Sequence, residues 1–335
     1  MSVYSKIRSK LSRKLKGYKH DVRYYLGLDK AFYKQARGSR MLIYHGLCQH
    51  DHTRFNPIFL TAKTFGAHLK LYKKHCNVVS LDDYYKGNFS DEKFNICLTF
   101  DDGFANNYKY VLPLLEKYQI PAAFFITGIA NEGYDILWND FLGIVSKYGP
   151  QNITYKNRQY YKGKYDLYYA ADSSITLKDQ LRATGFAEKA DMMKMLYPLV
   201  PFKNEEQHTD YWLQLTTEQI KQMAASLYVT IGAHGYYHND LAQISTNDAF
   251  NEMLHVKQYL EELIKKPVTS LAFPYGSYNQ QVVNDAKRAG YKKLLAMDFY
   301  NDSDGQDETM RERLTVSPFI SPVNQLHATI TCKYD

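Results

Sequence analysis

A chain of 335 residues and 39.0 kDa holds one large domain or two ordinary ones, and its 45% hydrophobic and 23% charged side chains exclude a disordered chain. The net charge of +7 divides unevenly: residues 1–40 carry 12 Lys/Arg against Asp21 and Asp29, a net +10, and the remaining 295 residues sum to −3. That split argues against a nucleic-acid partner inferred from overall charge, and no apolar run approaches the ~18 residues a membrane span requires.

In chain order, the first 23 residues set Tyr4, Ile7, Leu11, Leu15, Tyr18 and Val22 at alternating steps of three and four, with Lys and Arg on the other faces. This predicts a basic amphipathic helix, which suits either an anionic membrane surface or the protein's own body. No apolar signal segment follows it, so the expected address is cytoplasmic, with peripheral membrane contact through residues 1–23. Cys48, Cys76, Cys97 and Cys332 are scattered, without the spacing of a zinc knuckle or a disulfide framework.

From Met41 onward, short apolar runs alternate with amphipathic stretches. Met41–Tyr44, Val78–Val79, Asn95–Phe100, Ala122–Ile126, Val229–Ile231, Val268–Phe273 and Leu294–Ala296 read as buried strands. Asn106–Tyr118, Thr246–Lys265 and Asn279–Ala289 read as helices between them. Alternating strands and helices predict an α/β fold with a parallel sheet or barrel. The rhythm lapses at about 131–228, which reads as an inserted segment of helices and loops, rich in tyrosine. The expected organisation is a basic extension over 1–40 and a catalytic domain over 41–335.

Four strand ends carry chemically useful groups: His45; Asp101-Asp102-Gly103; His234 and His238; and Phe273-Pro274-Tyr275-Gly276. In parallel β/α barrels, sites are built at the C-terminal ends of the strands. Gly103 lets the chain turn so that both neighbouring carboxylates face one pocket. Two histidines four apart, joined by Asp102, make a two-His-one-carboxylate set with open metal positions.

These motifs resemble those of the polysaccharide deacetylases, the NodB-homology or carbohydrate esterase family four enzymes, over about residues 41–320. The resemblance implies a distorted (β/α) barrel of about seven strands and hydrolysis of acetyl groups on an acetylated sugar. It implies that Asp102, His234 and His238 hold a divalent metal, most often Zn2+, with Co2+, Mn2+ or Mg2+ as alternatives. Asp101 would be the general base and the Tyr275 backbone N–H the oxyanion donor, with Phe273, Pro274, Tyr275 and Gly276 against the substrate. The family's third-motif arginine is replaced by Ala272, and the fourth motif offers only Asp298, so the partner that orients Asp101 is unnamed. The acid histidine has two candidates. His327 stands in the usual late Leu-x-His context. His45 matches the permuted branch typified by poly-N-acetylglucosamine deacetylases, which Arg54-Phe55-Asn56 also resembles. The expected function is deacetylation in surface-glycan assembly. The rivals are a non-catalytic glycan-binding barrel and an O-acetyl esterase or N-deformylase.

Overall fold

The computed structural model describes residues 18–55, 57–204 and 206–334. Asn56 and residues 1–17, which carry most of the basic amphipathic stripe, lie outside the described residues. Residues 18–25 are helical, with Tyr18 and Val22 facing solvent.

The apolar runs become one all-parallel sheet: β1 (Ser39–Tyr44), β2 (Cys76–Val78), β3 (Phe94–Phe100), β4 (Ala122–Ile126), β5 (Val229–Ala233), β6 (Ser270–Ala272), β7 (Lys293–Leu295), β8 (Met310–Arg311) and β9 (Leu314–Thr315). Seven of these have three or more residues, the expected number. The two-residue β8 and β9 are too short to show a period of two. The strand order is β8-β7-β6-β5-β4-β3-β1-β9, with β2 beside the first half of β3. The two outer strands, β8 and β9, are separated in the chain only by Glu312 and Arg313. The sheet must therefore curl until its ends nearly meet, and Arg313 crosses the seam.

Successive side chains of a strand point to opposite faces, so each strand serves two layers. On β3, Ile96, Leu98 and Phe100 join the large core beneath the outer helices, while Cys97 faces the barrel interior. On β1, Leu42 and Tyr44 face the helices and Met41 faces the interior. On β4, Phe124 and Ile126 face outward and Ala123 and Phe125 inward. Continuing each register one step past the strand end sends His45 and Asp101 into the barrel mouth.

The outer helices start where the sequence supplies caps. Ser245 accepts from the Asp248 N–H at the start of Thr246–Ile264, and Asn279 accepts from the Val282 N–H at the start of Gln280–Arg288. The inserted segment, read from the sequence as helices and loops, holds helices and, against that reading, a three-stranded antiparallel sheet of Asn152–Tyr155, Arg158–Lys162 and Tyr168–Ala170. Its tyrosine density is structural: Tyr155, Tyr160 and Tyr168 are buried beside Trp138 and Ile153, while Tyr161 and Tyr165 face solvent. The same apolar cluster runs into the body through Cys48, Phe59 and Phe104, which anchors the insertion over the barrel mouth.

Candidate active site

Asp101 and Asp102 end β3, and the backbone there bends sharply. Asp102 has φ 74° and Gly103 φ 71°, both in the left-handed region. The positive φ favours glycine at 103, and a Cβ there would also press on the Ile126 side chain at 3.2 Å. Asp101 turns inward and meets Arg313, whose Nη1 and Nη2 donate to its two carboxylate oxygens at 2.7 and 2.8 Å. Arg313 is fully buried, donates further to Thr99 Oγ1 at 3.1 Å and to the Ala296 carbonyl at 3.3 Å, and lies over the Phe125 ring. Burial opposes the charge on Asp101, but the Arg313 guanidinium holds its carboxyl below the usual carboxylate range.

Arg313 is the orienting group that the sequence left unnamed. It arrives from the seam and not from the position of Ala272, whose small side chain faces the barrel interior. Asp298, the other sequence candidate, is exposed, and among the described residues it forms no ion pair with Arg313.

Asp102 is the meeting point of the two histidines. Its Oδ1 lies 3.3 Å from His234 Nε2 and 3.2 Å from His238 Nε2, and all three side chains are buried. His234 Nδ1 faces the Ala272 carbonyl at 2.8 Å, so that nitrogen carries the hydrogen, and in a neutral ring Nε2 would present a lone pair. With the imidazoles neutral, lone pairs of nitrogen and carboxylate oxygen at this distance call for a cation between them. Ligand atoms bound at about 2.0–2.1 Å to a tetrahedral ion stand about 3.3 Å apart, which is the spacing found. The donor set therefore fits a divalent metal.

The triad and Asp101 line a cavity of about 370 Å3 that also takes His45, Phe273, Tyr275 and Gly276. Pro274 is buried behind the wall, packed against Gly235 of the histidine loop, and does not line the cavity. Tyr275 sits at φ 61° in the turn Pro274–Gly276. The internal bonds of that turn use the amides of Gly276 and Ser277, and among the described residues the Tyr275 amide makes no backbone hydrogen bond. Strained φ values at Asp102, His238 and Tyr275 thus gather around one cavity, as expected where geometry serves chemistry. The Tyr275 ring is held by His238 at 4.6 Å and by the Arg182 guanidinium at 4.6 Å.

His45 and His327 part company. His327 lies on the C-terminal helix Pro322–Thr331, stacked on Phe32 at 5.2 Å and against His20 at 4.1 Å, away from the cavity.

The inserted segment contributes groups that sequence periodicity did not mark. Asn139, Asp140, Lys178 and Tyr211 form the outer wall of the cavity. Burial and the nearby Asp102 charge push the Asp140 carboxyl well above its usual range. The insertion also braces the histidine loop. Trp138 Nε1 donates to the His238 carbonyl at 3.1 Å, Arg182 pairs with Asp240, and Lys189 donates to Asn239. From the helix Thr246–Ile264, Glu252 accepts from the Tyr236 and Tyr237 amides at 3.1 and 3.2 Å and from Asn239. No motif or periodicity in the sequence marks this scaffold.

Comparison with known proteins bears on this geometry. The family model described as Polysaccharide deacetylase matches residues 90–156 and 174–294. The polysaccharide deacetylase candidate YxkH of Bacillus subtilis is 27% identical over 107 residues, which is 32% of this chain and 38% of YxkH. The fold is similar to that of the Streptococcus pyogenes deacetylase PplD, solved with acetate: TM-score 0.57, 19% identity, 88% of this chain and 99% of that one covered. IcaB from Ammonifex degensii is similar at TM-score 0.51 and 16% identity, covering 88% of this chain and 98% of its own.

Proposed function

Because this chain belongs to the polysaccharide deacetylase family, we propose that it hydrolyses the acetyl amide of an N-acetylated sugar in the assembly or modification of a surface polysaccharide. The observation that carries this reading is the placement of Asp101 and His45 in one cavity with the Asp102–His234–His238 triad. When bound there, a divalent cation, zinc by preference for this donor set, supplies Lewis-acid polarisation of the acetyl carbonyl.

The chain's own residues supply the rest. Asp101, kept ionised and fixed in direction by Arg313, takes a proton from the attacking water, a role generally worth about 10²–10⁴-fold. The Tyr275 amide donates to the developing oxyanion. His45, which lines the same cavity, hands a proton to the departing amine. Its position at the end of β1 supports kinship with the permuted branch. The buried Arg313–Asp101 pair weighs against the glycan-binding alternative, since a binding module gains nothing from an oriented base.

Acetate release tests the proposal. The metal-loaded protein is incubated with nucleotide-linked, lipid-linked and polymeric N-acetylated sugars, beside an Asp101→Asn variant. Acetate from wild type alone supports it. No acetate from any of them, with metal demonstrably bound, sinks it, and release only from O-acetyl or N-formyl sugars replaces it with the esterase or deformylase reading.

A further inference from the structure

At the opposite end of the sheet lies a second cavity, of about 660 Å3. Its walls come from the helix Lys30–Gln35, from the end of the helix Ala62–His75 just before β2, and from residues 92–93 just before β3. The cavity thus meets the N-terminal end of β3, whose C-terminal end carries Asp101 and Asp102, so the length of β3, about 20 Å, separates the two sites.

The lining is strongly cationic. Lys30, Lys34, Arg37, Lys74 and Lys93 face it with one acid, Glu92. Among the described residues, none of these five cations has an ion-pair partner. Arg37 is instead held by the Lys34 and Ala36 carbonyls at 2.9 and 3.0 Å. The floor is aromatic: Tyr24, Tyr33 and His75 pack with ring centroids 5.0–5.6 Å apart. Tyr33 is only 3% exposed, and its hydroxyl has no hydrogen-bond partner among the described residues. A buried hydroxyl without a partner is destabilising, and Tyr33 lines the cavity, so an acceptor brought to that hydroxyl from the cavity would relieve it. Burial and the Lys74 and Lys93 charges push His75 down to about 4, which reports the same uncompensated positive potential.

We infer that this cavity binds a phosphorylated anion, with the lysines and Arg37 neutralising the phosphoryl charge and the Tyr33 hydroxyl donating to a phosphoryl oxygen. An excess of four positive charges suits a di- or polyanion better than a monocarboxylate, and lysines act on phosphate as point charges. The volume lies within the range that holds a whole small ligand, so it has room for the organic part of a phosphate ester. A soluble diphosphate ester and an anionic phospholipid headgroup share this chemistry.

Calorimetric titration of the full-length chain with inorganic pyrophosphate forms one arm. Co-sedimentation with phosphatidylglycerol vesicles, against phosphatidylcholine vesicles, forms the other. Each is repeated on Tyr33→Phe and on the triple variant Lys34→Ala/Lys74→Ala/Lys93→Ala, whose exposed lysines leave the thermal midpoint unchanged. The inference expects at least tenfold weaker binding in the triple variant and about tenfold in Tyr33→Phe. Pyrophosphate binding lost in the variants identifies a soluble ligand. Vesicle binding lost in the variants, without pyrophosphate binding, identifies a headgroup. No binding in either arm, or binding that both variants retain, overturns the inference.

Discussion

Arg313 and Asp101 are joined by two parallel hydrogen bonds across 212 positions of sequence, in the fully buried seam where the curled sheet nearly meets itself. A planar guanidinium fixes a carboxylate in direction as well as in charge, and a lysine ammonium supplies the charge without the fork. Arg313→Lys is therefore expected to fold and to bind metal with unchanged stoichiometry, yet to lose about 10–100-fold in turnover. Arg313→Ala strands a buried carboxylate and is expected to lose about 3–5 kcal/mol of stability as well. Metal content by mass spectrometry beside acetate release checks this. Full activity in Arg313→Lys would show that direction does not matter.

His45 shares the cavity with the triad and contributes no ligand atom to it. His45→Ala should suppress turnover by about 10²–10⁴-fold while leaving the metal bound. His327→Ala, altered 4.1 Å from His20 on the outer surface, should leave turnover intact. Equal losses in both variants, or normal activity in His45→Ala, would remove His45 from its role.

The legible part of this molecule is local. Strand runs reveal themselves because both faces are apolar, and the motif residues are legible because they follow those runs at fixed offsets, as His45 follows Ile43 and Asp101 follows Thr99. Arg313 is not legible, because periodicity identifies the face a residue occupies and not its partner across a closed sheet. Its neighbours also form strands of two residues, too short to carry a pattern. The insertion fails for a different reason. Its strands have one exposed face and are built of tyrosine, so in a chain with 31 tyrosines their alternation passes for composition.

Glu252 touches neither the cavity nor a metal ligand's ring, yet it receives the amides of Tyr236 and Tyr237 between the two histidines. Groups that hold a ligand loop typically contribute about 10–100-fold to metal affinity. Glu252→Gln retains the volume but presents an amide donor toward those amides. Its metal affinity, measured by chelator competition, is expected to fall by about that factor, and saturating metal should restore turnover. An unchanged affinity would mean that Trp138 and Arg182 hold the loop without it.

His68 tests the outer core by acid. It is 0% exposed on the helix Ala62–His75, with Nδ1 3.1 Å from the Tyr44 hydroxyl. Burial lowers its pKa from 6.5 to about 3. Between those values the unfolded chain binds a proton that the native ring does not, so stability falls as pH drops through the window. Above pH 6.5 the ring is neutral in both states and this contribution is constant. The expected slope reaches about 1.4 kcal/mol per pH unit. His68→Leu removes it, while the Tyr44 hydroxyl keeps its contact with the Tyr72 hydroxyl at 3.1 Å. Urea unfolding of both proteins at about pH 7 and about pH 4.5 should show the wild type losing more stability than the variant on acidification. A difference between the two that stays the same at both pH values would place the acid sensitivity elsewhere, with His75 the next group to examine.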